Sequence, residues 1–250
     1  MAVYTQIDNP ELYMQTVLWT GDDSTSNAIT LSGDENMQPD LIWQKQRNKA
    51  DNHQVFDSVR GRTKRIKTNS DEAETTVDFI SSIDSDGFTI GSTDNSINDS
   101  SYNYVAWCWK AGTTSGINTT GAGITPSAYS FNQTSGFSIL KYTGTGSTTT
   151  VAHGLAAIPE LIIIKKTTDV IGWAVKHKDL TDDDYYLYLN SNVAQTNAAD
   201  NFPDTASTSV LFSIETDTPT NTSSQTYIAY CFTGKQGYSK FGSYTGNGNA

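Results

Sequence analysis

Two six-residue stretches of this chain are nearly identical, YVAWCW at 104–109 and YIAYCF at 227–232. The second stretch begins 123 positions after the first, and the fifth place of each holds one of the chain's two cysteines. Such a repeat constrains the fold strongly, because each copy must build the same structural unit. We therefore expect Cys108 and Cys231 to occupy one structural position that the chain uses twice.

Three further motifs recur in the same order. LWTGDDS at 18–24 is echoed by KYTGTGS at 141–147, QPDLIWQK at 38–45 by IPELIIIK at 158–165, and, more weakly, GFTIGS at 87–92 by VLFSIE at 210–215. The interval from Trp19 to Trp107 equals the interval from Tyr142 to Tyr230, at 88 positions. The two blocks therefore share both their order of motifs and their length.

The repeat divides the 250 residues into segments. We predict an N-terminal docking segment at 1–15, a first repeat at 16–110, a Gly/Thr/Ser-rich linker at 111–135, a second repeat at 136–241, and the start of a third repeat or next module at 242–250. The last segment, GSYTGNGNA, contains the YTG motif again. We expect the native chain to continue beyond it.

The blocks read as short β-strands. Only 17% of the residues are charged, against a usual fraction of about 25%, and short polar residues that disfavour helices take their place. Alternation places Val105, Trp107 and Trp109 on one face of a strand and Tyr104, Ala106 and Cys108 on the other. The prediction is an all-β chain of tandem β-sandwich, jelly-roll-like domains. One short N-terminal helix is expected at 8–15, with Asn9 as its cap and Pro10 in its first turn.

Charge and apolar run lengths narrow the classes of partner. The net charge of −11 and a pI near 4.5 disfavour nucleic acid, and the basic run RGRTKRIK at 60–67 is interpreted as a solvated turn and strand edge. The longest apolar runs, such as LIII at 161–164, are too short to cross a bilayer, and the N-terminus does not have the pattern of a signal peptide. We expect no membrane insertion. Both cysteines should be reduced, buried and too far apart to bridge.

The sequence offers no pattern typical of a catalytic or metal site. His53, His153 and His177 lack metal-ligand spacing. DSDG at 84–87 is interpreted as a hairpin turn, and Asp182–Asp184 as a solvated loop with calcium binding as the minor alternative. We predict no catalytic residue, no cofactor, no metal and no enzymatic activity, although a carboxylate pair for glycoside hydrolysis stays open.

The combined motifs resemble a repeated module in structural proteins of marine tailed bacteriophages. The resemblance rests on VLWTGDDSTSNAITLSGDENMQPDLIWQKQRNKADNHQVFDSVRG, DGFTIGS and SYNYVAWCWKAG in the first block, and on YTGTGSTTTVAHGL, PELIIIKK, WAVKHKDL and TYIAYCF in the second. The second block lacks DSVRG, so any role of Asp57, Arg60 or Gly61 is not shared. The resemblance implies laminin-G-like or concanavalin-like sandwiches and carries over no catalytic residue.

The function that this resemblance implies is a virion structural protein of a tail fibre or tail-fibre adaptor, involved in host attachment. It would be made in the bacterial cytoplasm and reside in the phage tail. Expected partners are further copies of the chain, as a homotrimer, and other tail proteins. A host surface glycan is a further expected partner if the chain binds carbohydrate. The assembly contact is predicted at Leu12, Tyr13 and Val17, which an N-terminal helix would leave half exposed on a monomer.

Two alternatives stay open. One is a carbohydrate-binding module or depolymerase of a phage tail, and the other is a capsid decoration protein. Exposed aromatic rings on a strand face could stack on sugars, so the two classes differ in whether Trp43, Trp107, Trp109 and Trp173 are buried or line an open groove.

Overall fold

The computed structural model describes residues 4–197 and 199–248, which are nearly all β. The first repeat holds nine strands: β1 (Met14–Thr20), β2 (Asn27–Thr30), β3 (Leu41–Gln46), β4 (Gln54–Asp57), β5 (Lys64–Lys67), β6 (Thr75–Thr76), β7 (Ile80–Asp84), β8 (Gly87–Ile90) and β9 (Asn103–Trp109). They form a large sheet in the order β1-β9-β3-β4-β5-β6 and a small sheet in the order β2-β8-β7. As predicted, residues 84–87 form the turn of the β7–β8 hairpin, and Gly87 there has a φ of 116°.

The second repeat has the same plan with one strand added and one missing. Its strands are β10 (Ala128–Asn132), β11 (Phe137–Thr143), β12 (Thr149–Ala152), β13 (Leu161–Lys166), β14 (Ala174–His177), β15 (Tyr185–Tyr188), β16 (Thr196–Asn197), β17 (Leu211–Ile214) and β18 (Thr226–Phe232), with a one-turn helix α1 (Thr218–Asn221) before the last strand. The large sheet runs β10-β11-β18-β13-β14-β15-β16, and β12 pairs with β17 in the small one.

The two repeats agree in register as well as in strand order. Met14 lies opposite Trp109 in the β1–β9 pair, and Phe137 lies opposite Phe232 in the β11–β18 pair, each position shifted by the sequence interval of 123. A buried tyrosine follows the same rule. The hydroxyl of Tyr104 accepts from Asp99 N and donates to Asn95 O, while the hydroxyl of Tyr227 accepts from Thr222 N and donates to Thr218 O. The tandem β-sandwich fold is confirmed; the segment bounds stay a prediction.

The four sheets stack around three cores. Each small sheet packs on the inner face of its own large sheet, and these two cores contain Cys108 and Cys231, which are free and fully buried as expected. The outer faces of the large sheets pack on each other in a third core, which we call the seam. From the first repeat the seam contains Leu41, Val55 and Ile66, and from the second Phe137, Ile139, Ile163, Trp173, Val175, Ile228 and Tyr230.

The predicted N-terminal helix at 8–15 is a single 3-10 turn, Pro10–Leu12. The side chain of Asn9 does cap it by accepting from Glu11 N at 3.1 Å. The turn ends because Met14 already pairs with β9 as the first residue of β1. A three-residue turn makes too few backbone bonds to extend into a helix against a seven-residue ladder.

The predicted linker and tail differ from each other in their packing. Within 111–135 the chain supplies the edge strand β10, and Ile124 is buried and bridges to Val151. In contrast, residues 242–248 form no strand, and Tyr244 is 94% exposed. Residues 249 and 250 of the predicted third repeat, and residues 1–3 of the predicted docking segment, lie outside the described residues.

Candidate functional site

A groove lined by aromatic rings lies at one end of the seam. Its volume is about 490 Å³, and its aromatic lining comes from both repeats: Trp43, Trp109, Phe137, Phe232, Tyr238 and Phe241. Phe137 and Phe232 stack with ring centroids 4.8 Å apart, and Trp109 meets Phe232 edge to face at 6.4 Å. The groove is mainly apolar, although the buried hydroxyl of Ser135 on its wall makes no hydrogen bond.

The four tryptophans that separate the functional classes have different environments. Trp43 and Trp109 are half-buried and line the groove. Trp107 is half-buried on the outer face of the first large sheet, between Thr16 and Trp43 in the register. Trp173 is buried in the seam, where its Nε1 donates to Lys67 O and Ser70 O at 3.0 and 3.1 Å. Only the first two therefore meet the geometric condition for ring stacking in an open groove.

The DSVRG turn of the first repeat joins the two repeats through a buried ion pair. Arg60 Nε lies 2.6 Å from Asp57 Oδ2, and the guanidinium also donates to Glu74 and to two carbonyl oxygens, Lys64 O and Val55 O. Tyr230 of the second repeat donates to Asp57 Oδ2 at 2.6 Å. The contact of this cluster with the second repeat thus comes from a turn motif that only the first repeat contains.

Electrostatics keep the guanidinium of Arg60 charged although it is buried. Burial disfavours the guanidinium charge, but Asp57, Tyr230 and Glu74 outweigh it, so the pKa of Arg60 is raised above its ordinary value. Burial and the neighbouring Asp57 carboxylate raise the pKa of Tyr230 well above its ordinary value. The raised pKa keeps the Tyr230 phenol protonated at neutral pH, in keeping with its donation to Asp57.

A buried lysine holds the other side of the seam. Lys165 is fully buried, and its Nζ lies within 3.2 Å of four carbonyl oxygens, those of Asp71, Lys166, Asp169 and Ile171. The first of these comes from the first repeat. Burial lowers the pKa of Lys165 to about 8. Because carbonyls surround the amine on several sides, it organises two loops and has no open approach for a substrate.

A second, polar cleft of about 640 Å³ lies where the first repeat meets the 111–135 segment, which includes β10. Asp40 on its wall accepts from Ser58 Oγ at 2.5 Å, Ser130 Oγ at 3.2 Å and Ala111 N at 2.9 Å. Ser58, Ala111 and Ser130 come from the first repeat, the linker and β10. The carboxylate of Asp40 thus accepts hydrogen bonds from three segments and connects them.

The other residues considered from sequence lie apart from one another. The ring of His53 accepts from Trp43 Nε1, His153 is buried beside β12, and His177 accepts from Asp179 N. The Asp182–Asp184 loop pairs with Lys176 through Asp183 at 2.8 Å. Among the described residues, no group of three or more His, Cys, Asp or Glu is arranged to hold a metal ion, and no helix is long and apolar enough to span a membrane.

The predicted assembly contact needs one correction. Leu12 is 36% exposed, and its role in assembly stays a prediction. Tyr13 is half-buried and meets Tyr238 of the same chain edge to face at 6.4 Å. The expectation that Val17 is half exposed is wrong, because β1 begins at Met14 and alternation turns Val17 into the first inner core, where it is 6% exposed.

Sequence reasoning did not identify Tyr230, Lys165 or Asp40 as functional. A signal existed for Lys165, because both copies of the repeated motif end in a lysine. QPDLIWQK ends at Lys45, and IPELIIIK ends at Lys165. No signal existed for Tyr230, whose partner Asp57 is 173 residues away in sequence, or for Asp40, whose partners Ser58, Ala111 and Ser130 are 18, 71 and 90 residues away.

The comparison with protein families gives one match, over residues 9–250. The chain belongs to the family described as Domain of unknown function (DUF7483). The match spans both repeats together, in keeping with a structural unit that includes the seam. Comparisons with curated proteins and with solved structures give no match.

Proposed function

We propose that this chain is a non-enzymatic structural module of a bacteriophage virion, located in a tail fibre or its adaptor and involved in host attachment. The observation that carries the proposal is the buried Asp57–Arg60–Tyr230 cluster, which fuses two sandwich repeats into one body. A fibre transmits force between a particle and a cell, so neighbouring modules must not separate or swivel. The resemblance to repeated phage modules supports the same proposal.

The test is to locate the protein in particles of the phage that encodes it. Mass spectrometry of purified virions should detect the chain at a stoichiometric level, and cryo-electron microscopy with a bound antibody fragment should place it on the tail. Density on the capsid surface would favour the decoration protein instead. Absence from purified particles would overturn the virion proposal.

A sugar-binding role is the second candidate, and the aromatic groove favours it. Trp43 and Trp109 line this groove, and tryptophan combines a large apolar area with a polar edge. Titration of the full chain with host surface polysaccharide should quench tryptophan fluorescence. Trp109→Ala should abolish the response, whereas the control Trp107→Ala, outside the groove, should preserve it. No response in the wild type, or equal loss in both variants, would exclude the groove as the binding site.

A further inference from the structure

The two large sheets differ at one edge. In the second repeat β11 lies between β18 and the added strand β10, which pairs with Phe137–Lys141. The matching strand of the first repeat, β1, pairs with β9 on one side and is the edge of its sheet on the other. Among residues 4–197 and 199–248, no strand therefore fills in the first repeat the position that β10 fills in the second.

The backbone of β1 presents alternate residues to this open edge. Lys110 N donates to Tyr13 O, and Gly21 N donates to Tyr102 O, so the odd-numbered residues of β1 bond to β9. The even-numbered residues Met14, Thr16 and Leu18 point outward. They match Phe137, Ile139 and Lys141, which bond to β10 in the second repeat.

The strand β1 itself carries none of the features that usually prevent pairing. Natural edge strands are short, carry a charge, a proline or a bulge, or are covered by another segment. The seven residues of β1, MQTVLWT, include no charge and no proline, and its register with β9 is unbroken. The other edges of the large sheets are better protected: β6 and β16 have two residues each, and the outward backbone of β10 at Phe131 bonds to Thr113.

The inner core beside β1 is already covered by a loop, and this limits which strand could pair with β1. Gln15 Oε1 accepts from Gly33 N, and Gln15 Nε2 donates to Glu35 O, so the 33–35 loop covers the inner side of β1. In the second repeat that cover comes from β10, whose Tyr129 packs against the inner core. An incoming strand at β1 therefore needs to supply backbone groups and an outer face, without side chains that fill a core.

We infer that the occupant is β1 of a second copy of this chain, paired antiparallel across a two-fold axis. Such pairing is self-complementary, because each outward N–H of one strand donates to an outward C=O of the other, and the two-fold axis repeats every bond in the opposite direction. Centring the axis on Val17 uses the whole strand: Thr16 pairs with Leu18 of the second copy, and Met14 with Thr20. Leu18, whose side chain is 58% exposed, then packs beside uncharged neighbours on the outer face.

One existing contact and the net charge define how the pair forms. Thr16 O accepts from the exposed Ser32 Oγ at 3.4 Å, a long bond that an incoming N–H replaces. Each copy carries a net charge of −11, so repulsion weakens the pair at low salt and screening strengthens it. This inference goes beyond the proposed function, because it rests on the edge geometry and holds for any particle or for free protein.

Sedimentation of the full chain, from micromolar to near-millimolar concentration, should give a monomer–dimer equilibrium that shifts toward dimer with added salt. Leu18→Pro removes an outward N–H that β9 does not use and should leave only monomer. Leu18→Lys should do the same. The matched control Ile158→Lys changes a side chain of the same 58% exposure on the second repeat and should still dimerise.

Hydrogen exchange measured residue by residue separates this edge from any other interface. Amides of Thr16 and Leu18 should exchange fast in dilute wild type and slowly in concentrated wild type, while those of Gln15 and Val17 stay protected in both. A wild type that is monomeric throughout would overturn the inference. So would an oligomer that survives Leu18→Lys, or one whose Thr16 and Leu18 amides exchange at the dilute rate.

Discussion

The two repeats share their inner cores and differ on their outer faces. Inside, Tyr104 and Tyr227 make matching hydrogen bonds, and Cys108 and Cys231 occupy the same buried position. Outside, the second repeat buries Tyr230 and Lys165 in the seam, whereas the matching Trp107 and Lys45 of the first repeat remain half-buried. The sandwich is thus a property of each copy, while the seam is a property of the pair.

This difference implies that the contact between repeats is heterologous, with different surfaces used on the two sides. The first repeat contributes the turn that contains Asp57 and Arg60, and the second contributes the strand face that contains Tyr230. The matching turn of the second repeat has His177 and Leu180 at those places and makes no such cluster. Only the turn of the first repeat therefore contributes a buried ion pair to the contact between the repeats.

The largest expected effect comes from breaking that turn. Arg60→Met leaves the carboxylate of Asp57 buried without its cation, and we expect a loss of about 3–5 kcal/mol in the free energy of unfolding. Urea denaturation followed by circular dichroism measures it. The matched control is Lys178→Met, which removes a partly exposed ion pair with Glu160 in the matching turn and should cost far less, because solvent screens the pair. Equal costs would mean that the cluster does not hold the seam.

A smaller effect should follow at the paired lysines. Lys165→Met removes the donor of four carbonyl oxygens inside the seam, and we expect a loss of about 3 kcal/mol. Lys45→Met, at the matching position of the first repeat, should cost less than about 1 kcal/mol, because Lys45 bonds only to Gln46 O and Lys49 O and is partly exposed. Thermal unfolding of both variants measures the two losses of stability and shows which is larger. If Lys45→Met is the more harmful change, the seam does not determine the difference.

What the sequence could predict follows the same division. Alternation and the 123-residue interval predict the strands, the inner faces and the buried cysteines, because these depend on contacts inside one copy. The seam could not be predicted, since the pairing of Asp57 with Tyr230 depends on how two sheets stack. The helix at 8–15 was over-predicted because Asn9 and Pro10 are local signals, and the ladder of β1 outweighs them from Met14 onward.

The third effect depends on pH. His153 is buried in the second repeat, with Nδ1 accepting from Leu155 N, and burial lowers its pKa from 6.5 to about 4. Between these values the unfolded chain binds a proton that the folded chain does not. The stability contributed by the neutral ring is therefore present above pH 6.5 and is lost as the pH falls toward 4, by about 3 kcal/mol in full.

The first repeat suggests a substitution that isolates the contribution of His153 to the pH dependence of stability. The register of β2 and β12 places Leu31 at the position of His153. His153→Leu should lose less stability than wild type between pH 6.5 and 4, as measured by urea denaturation at a series of pH values. Carboxylates contribute equally to both proteins, so the difference between the two slopes reports on His153. Parallel slopes would show that this histidine does not titrate on unfolding.

The smallest expected effect tests the identity of the inner cores. Cys108 and Cys231 are both fully buried, and burial raises the pKa of both thiols, that of Cys231 to about 12. Neither thiol should react with a thiol reagent until the chain unfolds, because the thiolate is the nucleophile. Cys108→Ala and Cys231→Ala each remove one buried sulfur, so we expect losses of about 1 kcal/mol that agree within about 0.5 kcal/mol. Unequal losses, or fast labelling of one thiol in the folded chain, would mean that the inner cores differ as the outer faces do, and the repeats would then share a chain path without sharing their packing.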